Sequence, residues 1–575
     1  MASPLSMKKN SILVILCICF GLSSYSQYTR LIVEFTDKKG TQFTLGNPSA
    51  YLSAKAIQRR TRQKITIDST DLPISKPYLD SIAAVPNVTI RNQSKWLNQV
   101  LIITTDTNAI NTINAFPFVK AVKPIAPVAK PTEEIISKKL DEEYDLGPEI
   151  LSGINRPSGS NGNNDIQYGN TFNQIHIHEG EYLHNLGFTG DGITIAILDG
   201  GFLAYKTNPA FDSIRLQGRV LGEWDYVANE ASVNEDHFHG AYCLSIIASN
   251  RPGIIVGSAP HASFWLLRTE DVFTEYPVEE QNWAAAAEFA DSAGTDMIST
   301  SLGYSVFDNP IYNHTYPDRN GNTSIVTRAA DLAAHKGILV TVSAGNDGGR
   351  ADEYKYVSCP GDADSVLTVG ATTGTGVVAS FSSWGPNSAG KVKPNVVSVG
   401  QGTILANTAG TPTGGNGTSY SNPNMAGLVA CLWEAFPDFT NMEIIRAVQE
   451  SSDHYQNPDG RYGYGIPNFR IAYQILFKER QRRKYEPILA GQFIKPYPVP
   501  FNNNFSVVIK AQTDGKASVR LLDVLGRTIE RKSIDINLDE YYLVHFDSAP
   551  VLKNGVYYIE FTDGKNRQTV RVVKQ

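Results

Sequence analysis

Three side chains, far apart along the chain, have the types that acyl transfer needs. Ser419 stands in Gly417-Thr418-Ser419-Tyr420-Ser421-Asn422-Pro423-Asn424-Met425-Ala426-Gly427, ahead of the apolar run Leu428-Val429-Ala430-Cys431-Leu432-Trp433. A serine at the start of a helix lies among backbone N–H groups without intrahelical partners, at the positive end of the helix dipole, where the oxyanion of an attacked carbonyl can be held. A hydroxyl is a weak nucleophile, so it needs a base within hydrogen-bond reach and a third group to orient that base. His239, which opens the segment Gly240-Ala241-Tyr242-Cys243-Leu244-Ser245, is the right kind of base, and Asp199, which ends the run Thr194-Ile195-Ala196-Ile197-Leu198, is the right kind of orienting group. Taken singly, each has an ordinary reading: an N-cap serine, a solvated histidine, an aspartate that caps a turn. Pro423 speaks against a plain N-cap, because proline within the first turns removes a helical hydrogen bond and needs a local reason.

The elements that would position these groups follow from hydrophobic periodicity. Strand patterns at Ile193 to Leu198, Phe264 to Leu267, Met297 to Ser299, Ile338 to Val342 and Val366 to Val369 alternate with helical patterns at His239 to Ala248, Glu279 to Ser292, Ile325 to Lys336 and Ser419 to Phe436. Such alternation predicts an α/β domain with a mainly parallel, doubly wound sheet and helices on both faces. Asp199 and Asn346 fall just past strand ends, where open α/β sheets place their crevices. No Gly-x-Gly-x-x-Gly follows Asp199-Gly200-Gly201, which argues against nucleotide binding.

The stretches Ala196-Ile197-Leu198-Asp199-Gly200-Gly201, His239-Gly240-Ala241-Tyr242-Cys243-Leu244-Ser245 and Gly417-Thr418-Ser419 resemble, in that order, the signatures of the subtilisin-like serine peptidases, or subtilases. The resemblance runs from about Tyr168 to Ala472 and implies an Asp199, His239, Ser419 triad. It also implies an oxyanion-hole role for Asn346 in Ser343-Ala344-Gly345-Asn346-Asp347, and substrate pairing along Ser301, Leu302 and Gly303, where a peptide adds as an extra strand. The sequence departs from the family pattern in three places. Gly200 stands where a hydroxyl residue usually helps fix the aspartate, Ala241-Tyr242 replaces Thr-His, and Lys393 to Gly400 lacks the usual Ala-Pro-Gly ending.

The 575 residues, 42% hydrophobic and 19% charged, suffice for several globular domains, and a net charge of −6 leaves no basic footprint for nucleic acid. Lys8-Lys9, the apolar stretch Ile12 to Phe20 and small residues up to Ser26 read as a secretory signal, too short to span a membrane. With Cys17 and Cys19 in that signal, Cys243, Cys359 and Cys431 remain, an odd and widely spaced set that predicts buried thiols and no disulfide framework. Cys243 lies four residues after His239, on the same helical face.

Thr29 to Ile125 has an approximate β-α-β-β-α-β pattern. In position and pattern it is similar to subtilase propeptides, which assist folding and block the active site. The polar, glycine-rich stretch up to Asn164 reads as a linker open to cutting. Five short alternating strands after Phe505 predict a small β-sandwich. Tyr497-Pro498-Val499-Pro500-Phe501-Asn502, Leu525-Gly526-Arg527, Gly555-Val556-Tyr557-Tyr558-Ile559 and Lys574 resemble the C-terminal sorting domains of type IX secretion cargo. The expected domains are 1–26 (signal), 27–125 (propeptide), 126–165 (linker), 166–486 (peptidase) and 487–575 (sorting sandwich). No cofactor is expected for the reaction. The resemblance allows structural calcium, and the turn Asp318-Arg319-Asn320-Gly321-Asn322 is an oxygen-rich candidate. The reading is a zymogen of a secreted or cell-surface serine endopeptidase. Its partners would be peptide or protein substrates, its own propeptide as inhibitor and the secretion machinery. The alternatives are a catalytically silent subtilase fold that binds surfaces and a hydrolase of esters.

Overall fold

The computed structural model describes residues 29–127 and 166–575, so the expected signal segment and nearly all of the expected linker lie outside the described residues. The N-terminal domain comprises β1 (Arg30–Phe35), α1 (Ala54–Gln63), α2 (Lys76–Ala83), β2 (Thr89–Ser94), β3 (Gln99–Ile103), α3 (Thr107–Asn114) and β4 (Val119–Ala126). The sheet order is β2-β3-β1-β4, with antiparallel neighbours. Leu31, Val33 and Phe35 alternate onto one face and pack with Ile82, Val100, Ile102 and Ile113, the period-2 arrangement expected of a sheet with helices on one side. Ser53 caps α1 by accepting a hydrogen bond from the Ala56 N–H.

The second domain is built on an eight-stranded sheet. Its main elements in chain order are β5 (Thr194–Asp199), β6 (Val220–Asp225), α4 (His239–Ala248), β7 (Ser263–Arg268), α5 (Val278–Ala293), β8 (Met297–Thr300), α6 (Ile325–His335), β9 (Leu339–Ser343), β10 (Leu367–Thr373), β11 (Val396–Ala406), β12 (Pro412–Asn416), α7 (Thr418–Ala435), α8 (Asn441–Glu450) and α9 (Phe469–Leu489). The strand order is β12-β11-β10-β9-β8-β5-β7-β6, parallel throughout except for β12. The order reverses at β5, which lies between β8 and β7, so a crevice opens at the C-terminal ends of these strands.

Two cores flank the sheet. On one face α4 and α7 contribute Leu244, Ile247, Leu428, Val429 and Trp433, and on the other α5 and α6 contribute Trp283, Ala287, Ala290, Val326 and Ala330. β5 is buried along its whole length, consistent with an apolar run covered on both faces. α5 is buried on its polar side as well, because the N-terminal domain covers that side: Asn92 Nδ2 donates to Asn282 Oδ1, and Gln99 Nε2 donates to Gln281 Oε1.

The basic run Lys478 to Lys484 lies inside α9, which continues to Leu489. Arg480 and Arg483 each stack at 4.3 Å, over Phe436 and Phe439 respectively, and pair with Asp438 and Glu443. α9 leads into a sandwich of two antiparallel sheets made from β13 (Ile494–Tyr497), β14 (Ser506–Lys510), β15 (Gly515–Leu522), β16 (Thr528–Ile536), β17 (Tyr541–His545), β18 (Gly555–Thr562) and β19 (Arg567–Lys574). The sheet orders are β13-β14-β17 and β16-β15-β18-β19. Lys574 Nζ donates to the carbonyls of Ala549 and Pro550, each at 3.0 Å, above the Phe501 ring. Among the described residues no helix is long and apolar enough to cross a membrane.

Candidate active site

Asp199 is the last residue of β5, Ser301 follows the end of β8, and Asn346 lies three residues past the end of β9. These strands are adjacent, so the three residues share one edge of the crevice. His239 is the first residue of α4, and Ser419 lies in the first turn of α7. His239 Nδ1 and Asp199 Oδ1 are 2.6 Å apart, and neither side chain is exposed. The Gly200 N–H also donates to Asp199 Oδ1, at 2.7 Å. Asp199 Oδ2 is buried without a hydrogen-bond partner. That is the physical counterpart of the missing hydroxyl at position 200.

Two glycines bring histidine and aspartate together. A Cβ on Gly201, whose φ is +144°, would stand 2.5 Å from the His237 nitrogen, and one on Gly240 would stand 2.5 Å from the Gly201 carbonyl oxygen and 2.9 Å from Asp199 Cβ. Side chains there would push α4 off the end of β5. The loop before His239 is tied down by Asp236, whose carboxylate lies 2.8 Å from Arg268 Nη1. Burial outweighs that pairing and pushes the Asp236 carboxyl up to about 6.

Ser419 is fixed through its backbone. Pro423 has no N–H to give to the carbonyl four residues earlier, which is that of Ser419. This carbonyl instead accepts from Ser301 Oγ at 2.9 Å and from Cys243 Sγ at 3.3 Å. Pro423 therefore has its local reason. Cys243 Sγ also lies 4.0 Å from His239 Nδ1, which places helix α4's thiol between base and serine. Burial pushes this thiol up to about 11, so it stays a neutral donor at ordinary pH. Ser419 Oγ donates to the Ser301 carbonyl at 3.2 Å.

Thr418 holds Asn346: its N–H and Oγ1 both donate to Asn346 Oδ1, at 2.8 and 2.9 Å. The acceptor end of the amide is thereby committed to the base of α7. Neither Thr418 nor Ser301 Oγ was assigned a positioning role from sequence, although Thr418 stands in the serine motif itself. Beyond Ser301, Leu302 is buried in the core and Gly303 packs so tightly that a Cβ would lie 2.1 Å from Ser358 Oγ. β8 ends at Thr300, so Ser301, Leu302 and Gly303 continue past the strand along the crevice.

The turn at Asp318 does not fit calcium. Asp318 Oδ2 accepts from Thr315, Asn320 Oδ1 accepts from the Asn322 N–H, and the buried Arg319 guanidinium already supplies positive charge while donating to the Tyr356 and Glu353 carbonyls. Among the described residues, Glu270, Glu275 and Glu279 bring carboxylate oxygens within 4.8 Å of one another, with Tyr304 donating to Glu270 and the Asp271 and Tyr276 N–H groups donating to Glu279. The described cysteines, Cys243, Cys359 and Cys431, are free and buried.

Three family models match the chain. Residues 190–465 match the subtilase family, 30–139 the peptidase S8 propeptide domain of Bacteroidota, and 495–575 a secretion system C-terminal sorting domain. Subtilisin E of Bacillus subtilis (strain 168) is 30% identical over 295 residues, which cover 51% of this chain and 68% of that protein. Serine protease AprX of the same organism is 28% identical over 310 residues, covering 49% of this chain and 66% of its own length. Among solved structures, MycP1 from Mycobacterium smegmatis matches 55% of this chain and 86% of its own with 21% identity and a TM-score of 0.42.

Proposed function

The chain belongs to the subtilase family of serine peptidases, and from that premise we propose that Ser419 is its nucleophile, His239 its general base and Asp199 the group that orients His239. The observation that carries this reading is the fully buried 2.6 Å contact between His239 Nδ1 and Asp199 Oδ1. A carboxylate at Nδ1 keeps the ring proton there, which leaves Nε2 as the basic nitrogen. The Ser419 hydroxyl hydrogen turns from the Ser301 carbonyl to Nε2 as Oγ attacks the substrate carbonyl. The oxyanion is held by Asn346 Nδ2 and the Ser419 N–H. Collapse releases the amine with the proton from His239 and leaves an acyl-enzyme, which water hydrolyses by the same steps in reverse. Commitment of Asn346 Oδ1 to Thr418 supports the donor role of the other end of that amide.

The precursor is an exported zymogen, with an S8 propeptide domain before the peptidase and a sorting domain after it. Its substrates are peptides or proteins, which pair along Ser301 to Gly303, and its own N-terminal domain is its inhibitor. The sorting domain engages the type IX secretion machinery. Self-processing tests the reading. Full-length Ser419→Ala protein, made in a host without other maturation peptidases, should keep residues 29–127 attached while the wild type is shortened. Normal shortening of the variant would assign maturation to another peptidase.

A further inference from the structure

α5 and α6 end side by side at glycines with φ of +87° and +88°, Gly294 and Gly337. Helix C-termini present carbonyls without intrahelical partners and the negative end of the dipole. Here those carbonyls are met by α1 of the N-terminal domain. Arg59 donates to the carbonyls of Thr295, Asp291 (3.2 Å) and Lys336 (3.1 Å), and Gln63 Nε2 donates to the Gly337 carbonyl at 2.7 Å. The Asp291 carboxylate, fully buried in the last turn of α5, pairs with Arg59 and with both terminal nitrogens of Arg60, the latter at 2.9 Å each. Arg60 Nη2 continues to Asp71 Oδ1 at 2.6 Å, and Asp71 Oδ2 accepts from Lys336 Nζ at 3.0 Å. Charges thus alternate across the junction: the peptidase domain contributes Asp291 and Lys336, the N-terminal domain Arg60 and Asp71. Backbones approach so closely that a Cβ on Gly294 would stand 2.6 Å from Lys55 Cβ.

This junction lies far from the cleft end of the same helix. α5 has 16 residues, about 24 Å at 1.5 Å per residue, and at its other end Val278 packs against Ile125 and Ala126, where the described part of the N-terminal domain ends. A cut beyond Pro127 leaves every α1 contact in place. The described ionic partners of Asp291 (Arg59, Arg60 and Lys95) all belong to the N-terminal domain.

We infer that the paired C-terminal ends of α5 and α6 form a recognition site, separate from the catalytic crevice, for the Arg59–Arg60 pair of α1, and that this site decides which N-terminal domain the enzyme retains after cleavage. The fork of a guanidinium matches both a carboxylate and adjacent carbonyls, which an ammonium does not. An N-terminal domain lacking the arginine pair would still present its tail to the crevice, yet would leave the desolvated Asp291 with Lys95, at 3.8 Å, in place of three cationic partners.

The inference rests on the N-terminal domain being a removable propeptide, and its test is arranged so that peptidase activity is not needed. A cleavage site for an added specific peptidase is placed within residues 128–165 of the full-length Ser419→Ala chain. After the cut, the protein is diluted to nanomolar concentration and retention of the N-terminal fragment is followed by gel filtration. The parent fragment should stay bound, and the Arg59→Gln/Arg60→Gln fragment should leave at least about 30-fold faster, the effect of truncating one side of a buried, hydrogen-bonded charge pair. Arg60→Lys, which keeps the charge and loses the fork, should leave at an intermediate rate. It also decides the question if the double variant does not fold. Release of both variants at the parental rate, or of Arg60→Lys alone at that rate where the double variant is not obtained, would overturn the inference.

Discussion

Replacing Asp199 by asparagine removes the charge behind His239 while keeping the shape of the side chain. The wild-type carboxylate accepts from both His239 Nδ1 (2.6 Å) and the Gly200 N–H (2.7 Å) at the same oxygen, Oδ1, with Oδ2 buried and unpartnered. In Asp199→Asn the carbonyl oxygen should therefore stay at the Oδ1 position, because the flipped amide would set its NH2 against the Gly200 N–H. The ring proton then stays on Nδ1, and the loss is chiefly electrostatic. Two unit charges about 4 Å apart at an effective dielectric near 20 attract by about 4 kcal/mol. At about 1.4 kcal/mol per decade that is close to a thousandfold in rate. The assay is steady-state hydrolysis of a small chromogenic peptide by enzyme freed of its N-terminal domain. kcat should fall about 10³-fold with KM nearly unchanged, since the interaction strengthens as His239 becomes charged in the transition state. A loss below tenfold in a variant of unchanged thermal stability would refute the electrostatic role given to Asp199.

Asn346→Ala should lower kcat by roughly 10²- to 10³-fold with little change in KM, the loss measured for subtilisin's own oxyanion asparagine, and an effect confined to KM would remove Asn346 from that role. Retention of the N-terminal domain should also depend on pH through Glu288, which accepts from Ser94 Oγ at 2.5 Å and from the Lys95 and Trp96 N–H groups at 2.6 and 3.0 Å. Burial outweighs these donors and the nearby Lys95 charge and pushes its carboxyl up to about 7 from 4.5. The bound state then holds the proton more tightly than the free enzyme, so association is strongest below about pH 4.5, weakens by about a hundredfold as pH rises to 7, and is level above that. Gel filtration of the cut Ser419→Ala chain between pH 4 and 8 measures this, and Glu288→Gln, which cannot ionise, should flatten the dependence. An equal dependence in Glu288→Gln would place the titrating group elsewhere.

The triad candidates were legible because each sits where a local rule already points: Asp199 at the end of an apolar strand, His239 and Ser419 at helix starts. The glycines beside them mark the close approach of α4 to β5. What joins these groups was not legible. Ser301 Oγ and Cys243 Sγ serve the Ser419 carbonyl only because Pro423 vacates it and because β8 and α4 arrive there in three dimensions. Some of the elements were missed for related reasons. β11 and β12 carry glycine and polar residues whose burial comes from their neighbours, and β6 is an edge strand with only Asp225 buried, so all three lack a clean period. Nothing in the charge pattern of Lys478 to Lys484 shows that the guanidinium planes of Arg480 and Arg483 cover Phe436 and Phe439. That the polar side of α5 seats the N-terminal domain follows only from its contacts with Asn92 and Gln99, which come together with it in three dimensions.

The central claim is that Ser419 is a nucleophile made reactive by His239. Reaction of the folded enzyme, freed of its N-terminal domain, with a fluorophosphonate, followed by peptide mapping, tests it most directly. The account predicts a single phosphonylated peptide spanning Gly417 to Gly427 with the adduct on Ser419, and no adduct in His239→Ala. No adduct on the folded wild-type enzyme, or an adduct on a different serine, would contradict it.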